Sequence, residues 1–289
     1  MRAVACFLLL LNPTIARKQR SISDELRPLL SQCSIPRVPD LSPAAFAARF
    51  RGASPVIFSR PPNATAGARL AGGKSALRSA FGREPVLLAS SNSFSHAKLP
   101  STLAGYLDGH VAPLTRARTA ANATWYLFGD TLGAAWAPLI GAYPVPPHAP
   151  PEDAPLVAWG GGGQWSGVAF HTHGAAFAET VVGRKHFWVA PPHARPAFDA
   201  DENQLAWALR RAAGAGAGAR DGVLGCTLRR GDVLYVPPGW FHSTLNLRGW
   251  NFFYSVFTQE LPRPPAGGGA SEALHAEAGA GGKGAARGA

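Results

Sequence analysis

The sequence predicts a mostly β protein, a double-stranded jelly-roll barrel with a few helices ahead of it. Two observations carry that expectation. From Val157 to Phe257 short apolar runs recur, broken by Gly and Pro at turn spacing, the pattern of an all-β barrel or sandwich. Helical signals cluster mainly upstream, in short stretches with capping residues. With 289 residues, 46% hydrophobic and 16% charged, the chain can bury a sizeable core as one domain with appendages.

The first residues read as a removable leader. Arg2 precedes an apolar run from Ala3 to Leu11, then Asn12, Pro13 and a small-residue exit at Thr14-Ile15-Ala16. That is the layout of a secretory signal peptide over residues 1–16. The run is shorter than the ~20 residues of a membrane span; an uncleaved anchor or a buried strand is the competing reading. The expected organisation is then an extended lead-in over 17–41, the barrel domain over 42–260, and a disordered Gly/Ala-rich tail over 261–289.

Ser42 and Pro43 open a short helix to Arg51, with Phe46 and Phe50 on one face. Pro55 to Phe58 reads as a buried strand, Ser75 to Gly82 as a helix, Val86 to Ala89 as a strand. Leu103 to His110 suits another helix and Thr124 to Phe128 another strand, before a Pro-rich loop over Pro144 to Pro155. The barrel runs follow: Val168 to His173, Thr180 to Val182, His186 to Val189, Cys226 to Leu228, Gly231 to Val236, Ser243 to Leu247 and Asn251 to Phe257, interrupted by a helix over Asn203 to Arg211.

Removing the leader takes Cys6 with it and leaves Cys33 and Cys226. An even number in an oxidising compartment allows one bridge between lead-in and barrel; two buried thiols is the alternative. Asn63-Ala-Thr and Asn122-Ala-Thr are glycosylation sequons. The net charge of +11 comes mostly from scattered Arg, with no basic block and no recognition-helix pattern. No nucleic-acid partner is therefore expected, and no transmembrane segment. The expected location is the secretory pathway, in the endoplasmic reticulum lumen or outside the cell.

His171 and His173 flank one residue in a strand-like run, so period-two alternation points both imidazoles the same way. Imidazole is a good ligand for iron, zinc, copper or nickel. His242 lies just before a later strand, which a jelly roll places beside the first pair. Three histidines could then form a facial set with open positions; each alone would be an ordinary hydrogen-bonded residue.

Together Phe170-His-Thr-His-Gly174, Val182-Gly-Arg-Lys-His-Phe-Trp188 with Pro191-Pro192, Gly231 to Pro237 and Trp240-Phe-His242-Ser-Thr-Leu-Asn246 resemble a jumonji-C (JmjC) domain, a cupin-like family. Tyr126 to Asp130 extends the likeness, which covers about Leu41 to Gln259. The resemblance implies a double-stranded β-helix, Fe(II), 2-oxoglutarate and hydroxylation of protein side chains. It maps the metal ligands onto His171, His173 and His242, and the 2-oxoglutarate carboxylate onto Lys185. At His173 the family's active members carry Asp or Glu. Another divalent metal, or none, is therefore allowed, and Glu179 is a candidate compensating carboxylate. The hydroxyl that usually accompanies the lysine is missing, because Val168 and Ala169 stand before the first ligand. Two functions follow: a regulatory, dioxygenase-like protein that binds a protein partner, or an active Fe(II)- and 2-oxoglutarate-dependent hydroxylase with a protein substrate.

Overall fold

A computed structural model describes residues 20–61, 63–93, 97–117, 124–128, 131, 133–194, 196–214 and 222–259. The expected signal peptide, the Gly/Ala-rich tail and Asn122 lie outside these residues, whereas Asn63 is exposed in a turn.

Helices α1 (Ile22–Leu30) and α2 (Pro43–Arg49) lead into β1 (Val56–Ser59); α3 (Ala66–Ala71) and α4 (Lys74–Phe81) follow. Then come β2 (Pro85–Ser90), β3 (Lys98–Thr102), α5 (Leu103–Gly109), β4 (Trp125–Tyr126) and α6 (Ala137–Gly141). The barrel strands are β5 (Leu156–Gly162), β6 (Ala176–Val182), β7 (Lys185–Ala190), β8 (Leu224–Thr227), β9 (Asp232–Val236), β10 (Phe241–Asn246) and β11 (Asn251–Phe257), with α7 (Gln204–Ala212) between β7 and β8. One sheet runs β1-β9-β6-β11-β5 and a second β10-β7-β8; β3-β2-β4 forms a small third sheet. All named strand pairs are antiparallel.

The two barrel sheets face each other across an interior in which Ile57, Ala178, Leu234 and Val236 meet Phe187, Val189 and Cys226. Behind the five-stranded sheet lies a larger core, where Phe46, Leu77, Leu88 and Leu107 pack against Phe177, Tyr235 and Phe252. Behind the small barrel sheet, Leu26 of α1 packs with Leu205 and Trp207 of α7 and with Trp188. The barrel thus has an apolar layer on each outer side, which is why β6, β7 and β9 are buried on both faces nearly throughout.

The hairpin from β6 to β7 turns at Gly183-Arg184. Gly183 has φ +83°, where a side chain is strained, and a Cβ there would stand 2.5 Å from Asn251 Oδ1. Ser42 caps α2 by accepting from Ala45 N–H, and Asn203 caps α7 by accepting from Ala206 N–H.

Two expectations change. The lead-in is not extended throughout: residues 22–30 are helical, capped by Ser21, with Asp24 and Glu25 in the first turn. Leu26 is fully buried, and Ile22, Leu29 and Leu30 pack beside it. This 3.6-period stripe outweighs Pro28 within the helix. Residues 168–173 do not form a regular strand. Val168 pairs with Thr244 and His171 with His242, three residues against two, so an extra residue bulges out. Beyond α1, Cys33 and Cys226 form a disulfide across 193 residues, tying the segment after the helix to β8.

Candidate metal centre

β10 lays His242 and Thr244 on the barrel's inner face, beside Phe187 and Lys185 of β7. The bulged segment brings His171 alongside: His171 N–H donates to His242 O (3.1 Å) and His242 N–H to His171 O (3.0 Å). Gly239 N–H donates to His173 O at 2.9 Å, which anchors the third histidine. The imidazole centroids of His171 and His173 then lie 4.2 and 4.4 Å from that of His242. One potential ligand atom from each of the three falls within 4.8 Å of the others.

The hydrogen bonds fix which nitrogen is free. Each Nδ1 faces a backbone carbonyl: His171 that of Ala169 (2.8 Å), His173 that of Gly174 (2.7 Å), His242 that of Trp240 (3.0 Å). A carbonyl only accepts, so each Nδ1 carries a hydrogen, and the neutral ring leaves its lone pair on Nε2. The Nε2 atoms of His173 and His242 stand 2.9 Å apart. Two lone pairs at that distance repel unless a cation lies between them or one ring takes a proton. Burial opposes the proton. It pushes His171 down to about 4 and lowers His173, and it takes His242 well below the usual histidine range, with the neighbouring rings adding to the effect for His171 and His242. The donor set therefore fits a divalent metal.

A small pocket of ≈ 40 Å³, partly open to solvent, runs from these rings to Lys185 between Phe187, Phe253 and Ala178. Lys185 is 1% exposed. Its Nζ donates to the Tyr126 hydroxyl at 2.7 Å and sits 3.3 Å from the centre of the Phe253 ring. Burial, which strips the ammonium of hydration, drives its pKa well below the ordinary lysine range. Tyr126 is raised well above the usual phenol range by burial, and the Asn246 and Thr244 side chains lie close enough to moderate that rise. Gly162 makes room for this arrangement: a Cβ there would stand 2.7 Å from the Tyr126 ring and 2.8 Å from Asn246 Nδ2.

Glu179 is no ligand. Ala176 and Ala178 of β6 face the pocket, so alternation turns Glu179 to the opposite side of the sheet. There it accepts from Arg60, Thr65 and Tyr143, each at 3.1 Å. The hydroxyl that does stand beside Lys185 is that of Tyr126 on β4. Its sequence signal was only its place in a short strand of the JmjC resemblance. Asn246 Nδ2 donates to Ser166 Oγ at 3.1 Å.

Comparison with known proteins bears on this geometry. No family model matches the chain. Human JmjC domain-containing protein 8 is 33% identical over 226 residues, covering 78% of this chain and 84% of the relative. The chain belongs to the JmjC domain-containing protein 8 family. The mouse member is 36% identical over 181 residues, 63% of this chain and 66% of its own. Among solved structures, the ribosomal oxygenase YcfD from Escherichia coli, in complex with cobalt and succinic acid, gives a TM-score of 0.42 at 17% identity, covering 79% of this chain and 53% of its own. Among the described residues of this family member, no helix is long and apolar enough to cross a membrane.

Proposed function

We propose that this JmjC protein enters the secretory pathway, holds one divalent metal on His171, His173 and His242, and acts by binding a protein partner. The observation that carries the reading is the donor set: three Nε2 lone pairs converge, and among the described residues no carboxylate lines the pocket. Two histidines and a carboxylate are the usual set for oxygen-activating Fe(II). Exchanging the anionic ligand for a neutral imidazole leaves the ion more positive and disfavours its higher oxidation states. The leader-like N-terminus, the Cys33–Cys226 bridge and the exposed Asn63 sequon support the compartment. A disulfide of this kind persists in oxidising surroundings.

A second reading, an active Fe(II)- and 2-oxoglutarate-dependent protein hydroxylase, is favoured by Lys185. A buried amine with one neutral partner at the pocket's far end fits a carboxylate. Bound iron would supply electron transfer to oxygen. The chain's residues would do the rest: Lys185 and Tyr126 hold the carboxylate, Phe187 and Phe253 exclude water, and the backbone carbonyls orient the imidazoles. The deciding experiment supplies purified protein with Fe(II), 2-oxoglutarate, oxygen and secretory-pathway protein extract, and measures succinate. The binding-protein reading expects none above the His242→Ala background; stoichiometric succinate would establish the hydroxylase.

A further inference from the structure

The two sulfurs of the Cys33–Cys226 bridge lie in opposite surroundings. Cys33 is exposed, in the segment that follows α1. Cys226 is 1% exposed on β8, among Ile35, Phe187, Val189 and Leu228. A thiolate formed there would be costly by itself, because apolar surroundings raise a thiol's pKa. Arg37 supplies a counter-charge. Its Nη2 donates to Cys226 Sγ at 3.6 Å, while its Nη1 pairs with the buried Asp232 carboxylate, which fixes the guanidinium in place. The segment is also held without its sulfur. Ser34 N–H donates to Gly225 O and Gly225 N–H to Ser34 Oγ, both at 2.9 Å. Further on, Val38 N–H donates to Ile57 O and Ile57 N–H to Pro36 O, both at 2.8 Å.

We propose that this bridge is a thiol-exchange site: Cys33 takes a partner thiol in reversible disulfide linkage, and Cys226 is the leaving and resolving sulfur. A thiol that has lost its proton to solvent attacks Cys33 Sγ. The bond to Cys226 breaks, its electron pair departs on Cys226 Sγ, and the attacking sulfur is left bonded to Cys33. One disulfide replaces another, so no oxidant or reductant is consumed. Displacement at sulfur runs in line, with the attacker opposite the leaving atom. With Cys226 inside and Cys33 outside, that approach comes from solvent. The Arg37 guanidinium stabilises the departing thiolate, and a leaving thiol of lower pKa leaves faster. The backbone bonds from Ser34 and Val38 keep the segment docked on β8 and β1 once the bridge opens. Cys226 therefore stays beside Cys33, and its return attack expels the partner thiol and restores the bridge. This site lies outside the metal pocket and does not depend on it.

The test uses the full chain carrying Cys6→Ser, which leaves Cys33 and Cys226 as its cysteines. Folded protein is mixed with glutathione or with a cysteine-bearing peptide, quenched with acid, and mapped by peptide mass spectrometry. The expected adduct is on Cys33, formed at a rate proportional to thiol concentration and unchanged by urea well below the unfolding transition. Arg37→Met should slow opening by about threefold or more, and Arg37→Lys by less. Cys226→Ser should accumulate the Cys33 adduct, since no sulfur resolves it, whereas folded Cys33→Ser should leave Cys226 unmodified. Adducts with glutathione assign the site to free thiols, and adducts with the peptide alone assign it to protein cysteines. A bridge that opens only as fast as the chain unfolds, an adduct on Cys226, or a folded Arg37→Met that opens as fast as its parent would overturn the exchange site. If Arg37→Met does not fold, the thiol and urea dependence of the parent chain decides.

Discussion

Two cations shielded from water, Arg60 in part and Lys185 almost fully, stand on opposite sides of β6, and they are treated differently. Behind β6, Arg60 pairs with Glu179 at 3.1 Å, while Thr65 and Tyr143 fill the remaining acceptor sites of the carboxylate. In front of it, Lys185 is removed from water more completely but meets one hydroxyl and an aromatic ring. The first cluster is complete within the chain. The second ends at a pocket. A buried charge that is fully partnered holds a fold in register, whereas one left short of a counter-charge marks a place for a ligand.

That contrast can be broken by mutation. Glu179→Gln strips Arg60 of its counter-ion while keeping the shape, and should destabilise by about 3 kcal/mol or more. Chemical denaturation is the measurement; a loss below about 1 kcal/mol would mean that the rear cluster is not the structural pair described.

The next effect is one of pH. In metal-free protein the folded-state values of His171, about 4, and His186, about 3, are both depressed by burial. Unfolded histidines titrate near 6.5. The unfolded chain therefore binds more protons below about 6.5, and stability should fall as pH drops through the interval from there to about 4. For His186 the loss continues towards pH 3. Thermal transitions across that range should decline steadily, and a flat profile would contradict the neutral buried rings.

Lys185→Met should change stability least, by less than about 1 kcal/mol or in the stabilising direction, because an unpaired buried amine is exchanged for an apolar chain of similar length. A large loss would place Lys185 with Arg60 as a structural cation.

Much of this was readable in the sequence, for physical reasons. Helix α2 announced itself through the Ser42-Pro43 start, and β9 and β11 through apolar runs bounded by turns. The histidine pocket followed from period-two alternation and the return of a late strand. Helix α1 was hidden by Pro28, because a breaker weighs more in a local reading than a stripe whose partner, α7, lies far along the chain. The bulge before His171 was invisible, since it exists only relative to β10. Tyr126 was missed as the companion of Lys185 because the contact spans 59 residues and depends on Gly162 opposite. Glu179 needed the sheet: once the turn at Gly174 is made, its parity faces the rear.

Whether His171, His173 and His242 hold one metal ion is read most simply from metal content. The folded protein is reconstituted with Fe(II), Co(II) or Zn(II), desalted, and analysed by elemental mass spectrometry. About one ion per chain is expected, lost in a His242→Ala variant that retains its thermal transition. Folded wild-type protein with no retained ion, or His242→Ala retaining as much as wild type, would contradict it.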